Sequence, residues 1–468
     1  MNRSSEEGQT TLRAARPPRP VPVVPRGRFG SVLDFARDPL RTIAHAASFG
    51  DVVRLRMAHN NLYLVNTPDG VKQVLQDNAH NYSRERNQGV RMLRPILGAG
   101  VLTSDGPVWR ARRKAAQRAF GEEQLAAMTA EMKDEALQAL ASASRSEPVD
   151  VYRFSLKVAI ATTLRAMFGY RPAPDEREDL YHAILEGQHA AWSNLVVPFQ
   201  VPRWLPTPLG VLRGRRVLRV VDALAQRVVE ARRALAEPRG DYLDGILDTC
   251  SSDRDIRDEV VTMMTAAPEN MAYTLSMALY LVAGHPSVEA TLREEIERVL
   301  GRRQPAASDL PRLSYTGCVL KETLRLHPGA YLYDRWAIHE DMVGGYHIPA
   351  GSYVVVSPYT MHRRPDLWPD PDRFDPGRFS TAVERPRFAY FPFGGGPHRC
   401  IGEHFALLQL TLLLPLIIQA VRLERVGARP VDLQAMITVR PRAGVWMKLA
   451  PPEAPGPPAT DAREPLAS

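Results

Sequence analysis

Residues 391–402 read Phe-Pro-Phe-Gly-Gly-Gly-Pro-His-Arg-Cys-Ile-Gly and run directly into Glu-His-Phe-Ala-Leu-Leu-Gln-Leu. Three consecutive glycines and a proline make a loop whose backbone can pass close to a neighbour, and an apolar helix begins just after Cys400. A sulfur at that position meets the positive end of the helix dipole and the free N–H groups of the first turn, both of which favour a thiolate. Metal ligation and nucleophilic attack both use such a group. A buried structural cysteine behind a glycine turn would look the same, so other segments must decide.

Composition narrows the setting. At 468 residues, 44% of them hydrophobic and 24% charged, the chain has ample material for a large globular core. The net charge of +8 is modest for this length, and the basic clusters carry neither interleaved aromatics nor a binding motif, which argues against nucleic acid. Cys250, Cys318 and Cys400 form an odd, sparse set without zinc-knuckle spacing, as expected in a reducing cytoplasm. No uninterrupted apolar run reaches the roughly 18 residues of a membrane span. The nearest, residues 406–418, is interrupted by Gln409, Thr411 and Pro415. The N-terminus lacks the apolar centre of a signal peptide, so a cytoplasmic monomer with no membrane span is expected.

Residues 1–28 are rich in Arg and Pro and read as a disordered segment, as does the Pro-rich tail 451–468. No repeat or long linker divides residues 29–450, which read as one large domain. Alternating runs over 51–66 predict a hairpin, followed by a short helix over 68–77. Helical periodicity marks 109–120, 122–143, 152–168, 175–191, 208–236, 241–250, 287–300 and 315–327. The stretch 256–284 is the longest, about eight turns, and carries Pro268-Glu269-Asn270 at its middle. The proline predicts a kink there, with two polar side chains at depth. Short strands follow at 334–337, 344–348 and 353–357, and a last hairpin pairs 436–439 with 445–449. The fold class is mainly α with a smaller β region.

Four segments line up with Cys400. Glu322 and Arg325 lie three apart on one helix face, close enough to pair. Arg378 sits in a loop of proline turns, Phe374-Asp-Pro-Gly-Arg-Phe379, and Trp109-Arg-Ala-Arg-Arg113 lies on a basic helix. Around the cysteine, Phe393, Gly396, His398 and Gly402 stand in fixed register.

This set resembles the cytochrome P-450 superfamily of heme-thiolate monooxygenases, in the family's order, over about residues 28–450. The resemblance implies a single domain with heme b between the long central helix and the cysteine-loop helix, and O2 as co-substrate. It makes Cys400 the iron ligand, with Phe393 and Gly402 shaping its surroundings. Trp109, Arg113, Arg335 and His398 become the partners of the heme propionates. Glu322, Arg325 and Arg378 become a structural triad. The family's acid and threonine on the central helix correspond to Glu269 and Asn270, so the acid is kept and the hydroxyl is lost. Proton delivery must then use a water, a substrate hydroxyl, or Glu269 itself. By the same resemblance, Met92, Ile96, Trp192, Met264, Ala267, Tyr331, Leu332 and Ile437 line an apolar pocket for a hydrophobic small molecule. A proximal patch of Arg110, Arg112, Lys114, Arg118 and Arg399 would receive a ferredoxin, itself reduced by NAD(P)H through a ferredoxin reductase. The expected activity is oxygen insertion or oxidative coupling in natural-product (secondary metabolite) tailoring. The lost hydroxyl keeps two alternatives open: a heme-thiolate isomerase or dehydratase that uses no oxygen, and a non-enzymatic heme-binding sensor.

Overall fold

The computed structural model describes residues 19–25, 31–57, 60–196, 208–235, 237–381, 383–427 and 429–451, and the structural statements below concern these. The helices that position the site are α1 (Gln88–Leu97), α2 (Gly106–Arg118), α3 (Glu122–Ser142), α4 (Val151–Phe168), α5 (Pro174–Val196), α6 (Pro208–Arg233), α7 (Asp253–Ala283), α8 (Ser314–Leu326), α9 (Pro358–Met361) and α10 (Glu403–Ala420).

Helix α7 is the axis of the core. Ser252 caps it by accepting from the amide of Asp255, and Asp253 and Asp255 place negative charge in the first turn. Its apolar residues are too many for one stripe and are buried nearly all round. Accordingly α7 packs along α4 and also touches α6, α8 and α10. The helix runs through Pro268 as one 31-residue element. Helix α4 is capped by Asp150 and closed by Gly169 in the left-handed conformation (φ 59°). Helix α10 is long and apolar enough by composition to cross a membrane, yet 67% of it is buried inside the protein, where Leu412, Leu413 and Leu414 join the same core as α7.

The larger sheet consists of β1 (Val52–Met57), β2 (Asn60–Val65), β3 (Tyr82–Ser83), β4 (Tyr333–Ala337) and β5 (Tyr353–Val356), in the order β1-β2-β5-β4-β3. Strands β1 and β2 form the expected antiparallel pair, Val52 opposite Val65, with the turn residues 58 and 59 outside the described residues. Strand β5 is Tyr-Val-Val-Val, buried at every position, which suits a strand covered on both faces. It sets Arg335 of β4 opposite Val354 and so delivers that arginine to the site.

Four expectations need correction. Residues 436–439 and 445–449 do not pair with each other. Trp446–Ala450 pairs instead with Arg422–Arg425 and with Val149–Asp150, while Val439–Pro441 pairs with Leu433–Ala435. Of the two runs, 446–449 and Val439 lie in strands while 436–438 do not, and a pattern close in sequence cannot exclude a distant strand partner. Within 84–102, where the helical periods above mark no helix, α1 forms on an Asn87 cap despite its internal Pro95. Residues 344–348 are half of a hairpin, Asp341–Val343 against Tyr346–Ile348, turning on Gly344 and Gly345 with φ of 59° and 84°. Finally, part of the supposedly disordered N-terminal segment is ordered. The amide of Arg19 donates to the carbonyl of Gly345, the amide of Val24 donates to the carbonyl of Arg54 in β1, and the Arg54 amide donates to the carbonyl of Pro22. Residues 1–18, 26–28 and 452–468 lie outside the described residues.

Candidate functional site

The 391–402 loop is built by backbone conformations that side chains resist. Gly394 and Gly396 have φ of 73° and 65°. A Cβ on Gly396 would lie 1.7 Å from the carbonyl oxygen of Leu75, so the close approach inferred from the glycines is real and its partner is Leu75. The amide of Cys400 donates to the carbonyl of Phe393 at 2.9 Å, closing the loop, and α10 begins three residues later. The Gly402 amide points at the sulfur. Cys400 keeps accessible surface, yet protein surrounds its sulfur closely enough that burial pushes the thiol pKa up. The Gly402 amide and the Arg113 and Arg399 charges oppose that rise, and the Glu403 carboxylate adds to it. A bound metal cation would reverse the balance, because a coordinating thiol is deprotonated outright.

Beside this loop the fold collects cations. Trp109 and Arg113 lie one turn apart on α2, and the rings of Trp109 and His398 are 4.0 Å apart. Arg335 reaches the same region from β4, buried, its guanidinium donating to the carbonyl of Asp334. Burial, and then the Arg84 charge, bring its pKa down to about 10. Arg84 is a member the sequence did not reveal. Its guanidinium sits 3.1 Å from Nδ1 of His398 and donates to the carbonyl of Leu102. Burial pulls its pKa down as well, with a further push from Arg113. Among the described residues none of Arg84, Arg113 and Arg335 has a carboxylate within 4.0 Å. The nearby acids are already engaged: Asp105 accepts from the amides of Arg84 and Gly106, and Asp334 from those of Gln88 and Gly89. Partly desolvated cations without counterions fit a ligand with two carboxylates. Together with the exposed sulfur of Cys400, that donor set fits heme.

Behind the loop, Glu322 and Arg325 have no accessible surface and form a two-point pair, Nε to Oε2 at 2.7 Å and Nη2 to Oε1 at 2.8 Å. Arg378 Nε lies 3.4 Å from Glu322. Arg325 also donates to the carbonyls of His362, Pro371 and Arg373, and Arg378 to those of Pro369 and Asp370. The three residues therefore staple α8 to the proline-turn segment, and none of them is aimed at the sulfur.

On α7, Glu269 and Asn270 part company. Glu269 is buried among Tyr152 of α4, Gln188 of α5 and Thr438, and it accepts from the Gln188 amide. Burial raises its pKa from 4.5 to about 7, against the Arg440 charge and the donated hydrogen bonds. Asn270 instead faces Gly329, where a Cβ would lie 2.3 Å from its Oδ1; that oxygen has no hydrogen-bond partner among the described residues, and Nδ2 reaches back to the Ala266 carbonyl at 3.4 Å.

The proposed pocket residues divide. Ala267, Leu332 and Ile437 keep partial exposure. Met264 has no accessible surface, and Tyr331 is buried with its hydroxyl on the Met436 carbonyl, so both pack into the core in this structure. Trp192 packs against Phe35 at 5.9 Å, and Met92 and Ile96 are buried on α1. On the basic face, Arg110 and Lys114 are exposed, whereas Arg112 is turned inward onto Asp255 and Glu259 and does not belong to the surface. Arg399 pairs with Glu403, and the side chain of Arg118 lies outside the described residues.

Comparison with known proteins agrees with this arrangement. The family model described as Cytochrome P450 matches residues 17–446. Cyclooctatin synthase of Streptomyces melanosporofaciens is 34% identical over 82% of this chain and 85% of its own length. Cyclooctat-9-en-7-ol 5-monooxygenase of the same organism is 31% identical over 85% and 88% respectively. Pentalenene oxygenase of Streptomyces avermitilis is 30% identical over 87% and 90%.

Proposed function

The chain belongs to the cytochrome P450 family, and from that premise we propose that it oxygenates a polycyclic terpenoid, a hydrocarbon or one of its alcohols, during natural-product tailoring. It is a monooxygenase that uses heme with cysteine thiolate ligation, and O2 as co-substrate. Cys400 would be that ligand, and Arg84, Arg113, Arg335, His398 and Trp109 would hold the propionates. The single observation behind these roles is the convergence of the exposed Cys400 sulfur with three arginines that, among the described residues, have no carboxylate within 4.0 Å. When bound, the heme supplies the oxidising chemistry through its sulfur-ligated iron.

The chain's own residues supply the rest. Gly394 and Gly396 allow the loop to fold tightly enough to present the sulfur, and the Gly402 amide moderates its basicity. The Glu322–Arg325–Arg378 cluster holds that side of the molecule in place. Glu269, with a pKa near neutrality, can hold or release a proton at its carboxyl, a capacity suited to general acid–base work. Asn270 orients a water or a substrate hydroxyl without being an acid of comparable strength. The terpenoid assignment is supported by the named relatives, two of which carry a cyclooctatin-type compound and one pentalenene in their names. Electrons would come from NAD(P)H through a ferredoxin reductase and a ferredoxin docked near Arg110 and Lys114. The protein would act in the cytoplasm.

The test is a reduced, carbon monoxide-bound spectrum, then a panel of cyclic terpenes read by the shift of the Soret band, then turnover under labelled O2. A thiolate-type carbonyl band and label in the product are expected. A histidine-type band would remove Cys400 from the iron. Product without label would replace oxygen insertion by oxidative coupling, and turnover without oxygen would place the enzyme among isomerases or dehydratases.

A further inference from the structure

One fully buried histidine joins the triad to the cysteine loop. His362 follows α9 and has no accessible surface. Its Nε2 lies 3.0 Å from the backbone amide of Phe391. An amide N–H can only donate, so Nε2 is the bare nitrogen and the proton sits on Nδ1. Nδ1 is 3.3 Å from the carbonyl of Arg325, to which it donates. Arg325 answers in kind, its Nη1 donating to the His362 carbonyl at 2.8 Å. The imidazole stacks on Tyr390, with ring centres 5.1 Å apart and planes 28° apart, and meets the edge of Phe391 at 5.6 Å. Burial brings its pKa down to about 3, which keeps the ring neutral and the two hydrogen bonds in this sense.

Phe391 is the root of the loop that carries the sulfur. Its carbonyl accepts from Gly394, the next carbonyl, of Pro392, accepts from the Tyr333 hydroxyl, and that of Phe393 accepts from Cys400. A continuous run of hydrogen bonds and peptide units therefore passes from Glu322 through Arg325 and His362 to Phe391 and on to Cys400. We propose that His362 is a positioning residue for Cys400: its neutral imidazole ties the carbonyl of Arg325 to the amide of Phe391 and so fixes where the loop presents its sulfur. The link demands a side chain with a donor and an acceptor a ring-width apart. Phenylalanine has the shape without either; asparagine and glutamine carry both on the same amide, which in asparagine stands too near the backbone to reach the Phe391 amide and in glutamine one methylene further out.

This inference rests on Cys400 being the iron ligand, and the experiment separates the two. Full-length holoenzyme is prepared as wild type, His362→Phe, His362→Asn, His362→Gln and, as a core-disruption control remote from the loop, Leu412→Ala. The ratio of thiolate-type to non-thiolate carbonyl band and the ferric/ferrous midpoint potential are read beside the thermal unfolding midpoint. A severalfold fall in the band ratio with a shifted potential is expected for His362→Phe and His362→Asn, with substantial recovery in His362→Gln and no change in Leu412→Ala. A band ratio and potential unchanged in His362→Asn would overturn the proposal, as would an equal loss in Leu412→Ala. Should His362→Phe fail to fold, the asparagine and glutamine variants decide alone, and identical spectra in those two overturn it. Absence of a thiolate band in the wild type would instead refute Cys400 as the ligand.

Discussion

Glu269 and Asn270 are neighbours in α7 yet belong to different parts of the molecule: the carboxyl is held by Gln188 among α4, α5 and Thr438, while the amide lies against Gly329 beyond α8. Successive residues on a helix point about 100° apart, so one cannot stand in for the other at a single point in space. The acid and the amide therefore have separable consequences when altered.

For Glu269 the consequence is a pH-dependent stability. Its pKa rises from 4.5 to about 7 on folding, so between these values the native carboxyl keeps a proton that the unfolded chain releases. Stability then falls as pH rises through this window and the loss is complete above it, amounting to about 3 kcal/mol. Glu269→Gln removes the titration. The variant should match wild type near pH 5 and exceed it in unfolding midpoint near pH 8, as read by thermal denaturation across that range.

Asn270 should govern economy more than rate. Asn270→Thr introduces a hydroxyl at the position facing Gly329, and the ratio of product formed to NAD(P)H consumed should change while turnover persists. Equal ratios in the two proteins would leave Asn270 without a role in proton handling.

Two glycines of the loop should behave oppositely. Gly396→Ala requires a left-handed residue with its Cβ on the Leu75 carbonyl, whereas a Cβ on Gly402 comes no closer than 4.0 Å to Phe120. The first carries about 1–2 kcal/mol of backbone strain plus a collision that only backbone movement can relieve. Heme content, measured as Soret absorbance per protein, should collapse in Gly396→Ala and stay near wild type in Gly402→Ala.

Arg84→Gln should loosen the cofactor without unfolding the chain. A charge-assisted hydrogen bond contributes about 1.5–3 kcal/mol, so heme transfer to a scavenging apoglobin should accelerate by about tenfold or more. Glu322→Gln should act on the fold instead. It leaves Arg325 buried without its partner, a loss of about 3–5 kcal/mol visible as a lower unfolding midpoint before any change in heme ligation.

Much of this was legible in the residues. The glycine run and the Glu322-to-Arg325 spacing are local patterns, and local patterns survive translation into structure because they depend on only a few dihedral angles. Helix α7 was found from its apolar period within about three residues at either end. What stayed hidden were contacts between distant segments. Arg84 and His362 carry no local signature, and only the approach of the residue after β3, and of the residue after α9, to the cysteine loop gives them partners. Met264 and Tyr331 show the converse: apolar residues beside a site look the same in sequence whether they face the cavity or the core.

The strand Trp446–Ala450 pairs with Val149–Asp150, and Asp150 caps α4, which carries Tyr152 to Glu269. Emerging from the ribosome, the strand at the start of α4 waits until about 300 further residues have been made before its sheet partner appears. The compartment around Glu269 is thus completed after synthesis of the body of the protein, and a ribosome stalled shortly before residue 446 would hold a nascent chain whose helices can form but whose strand at 149–150 has nothing to close against.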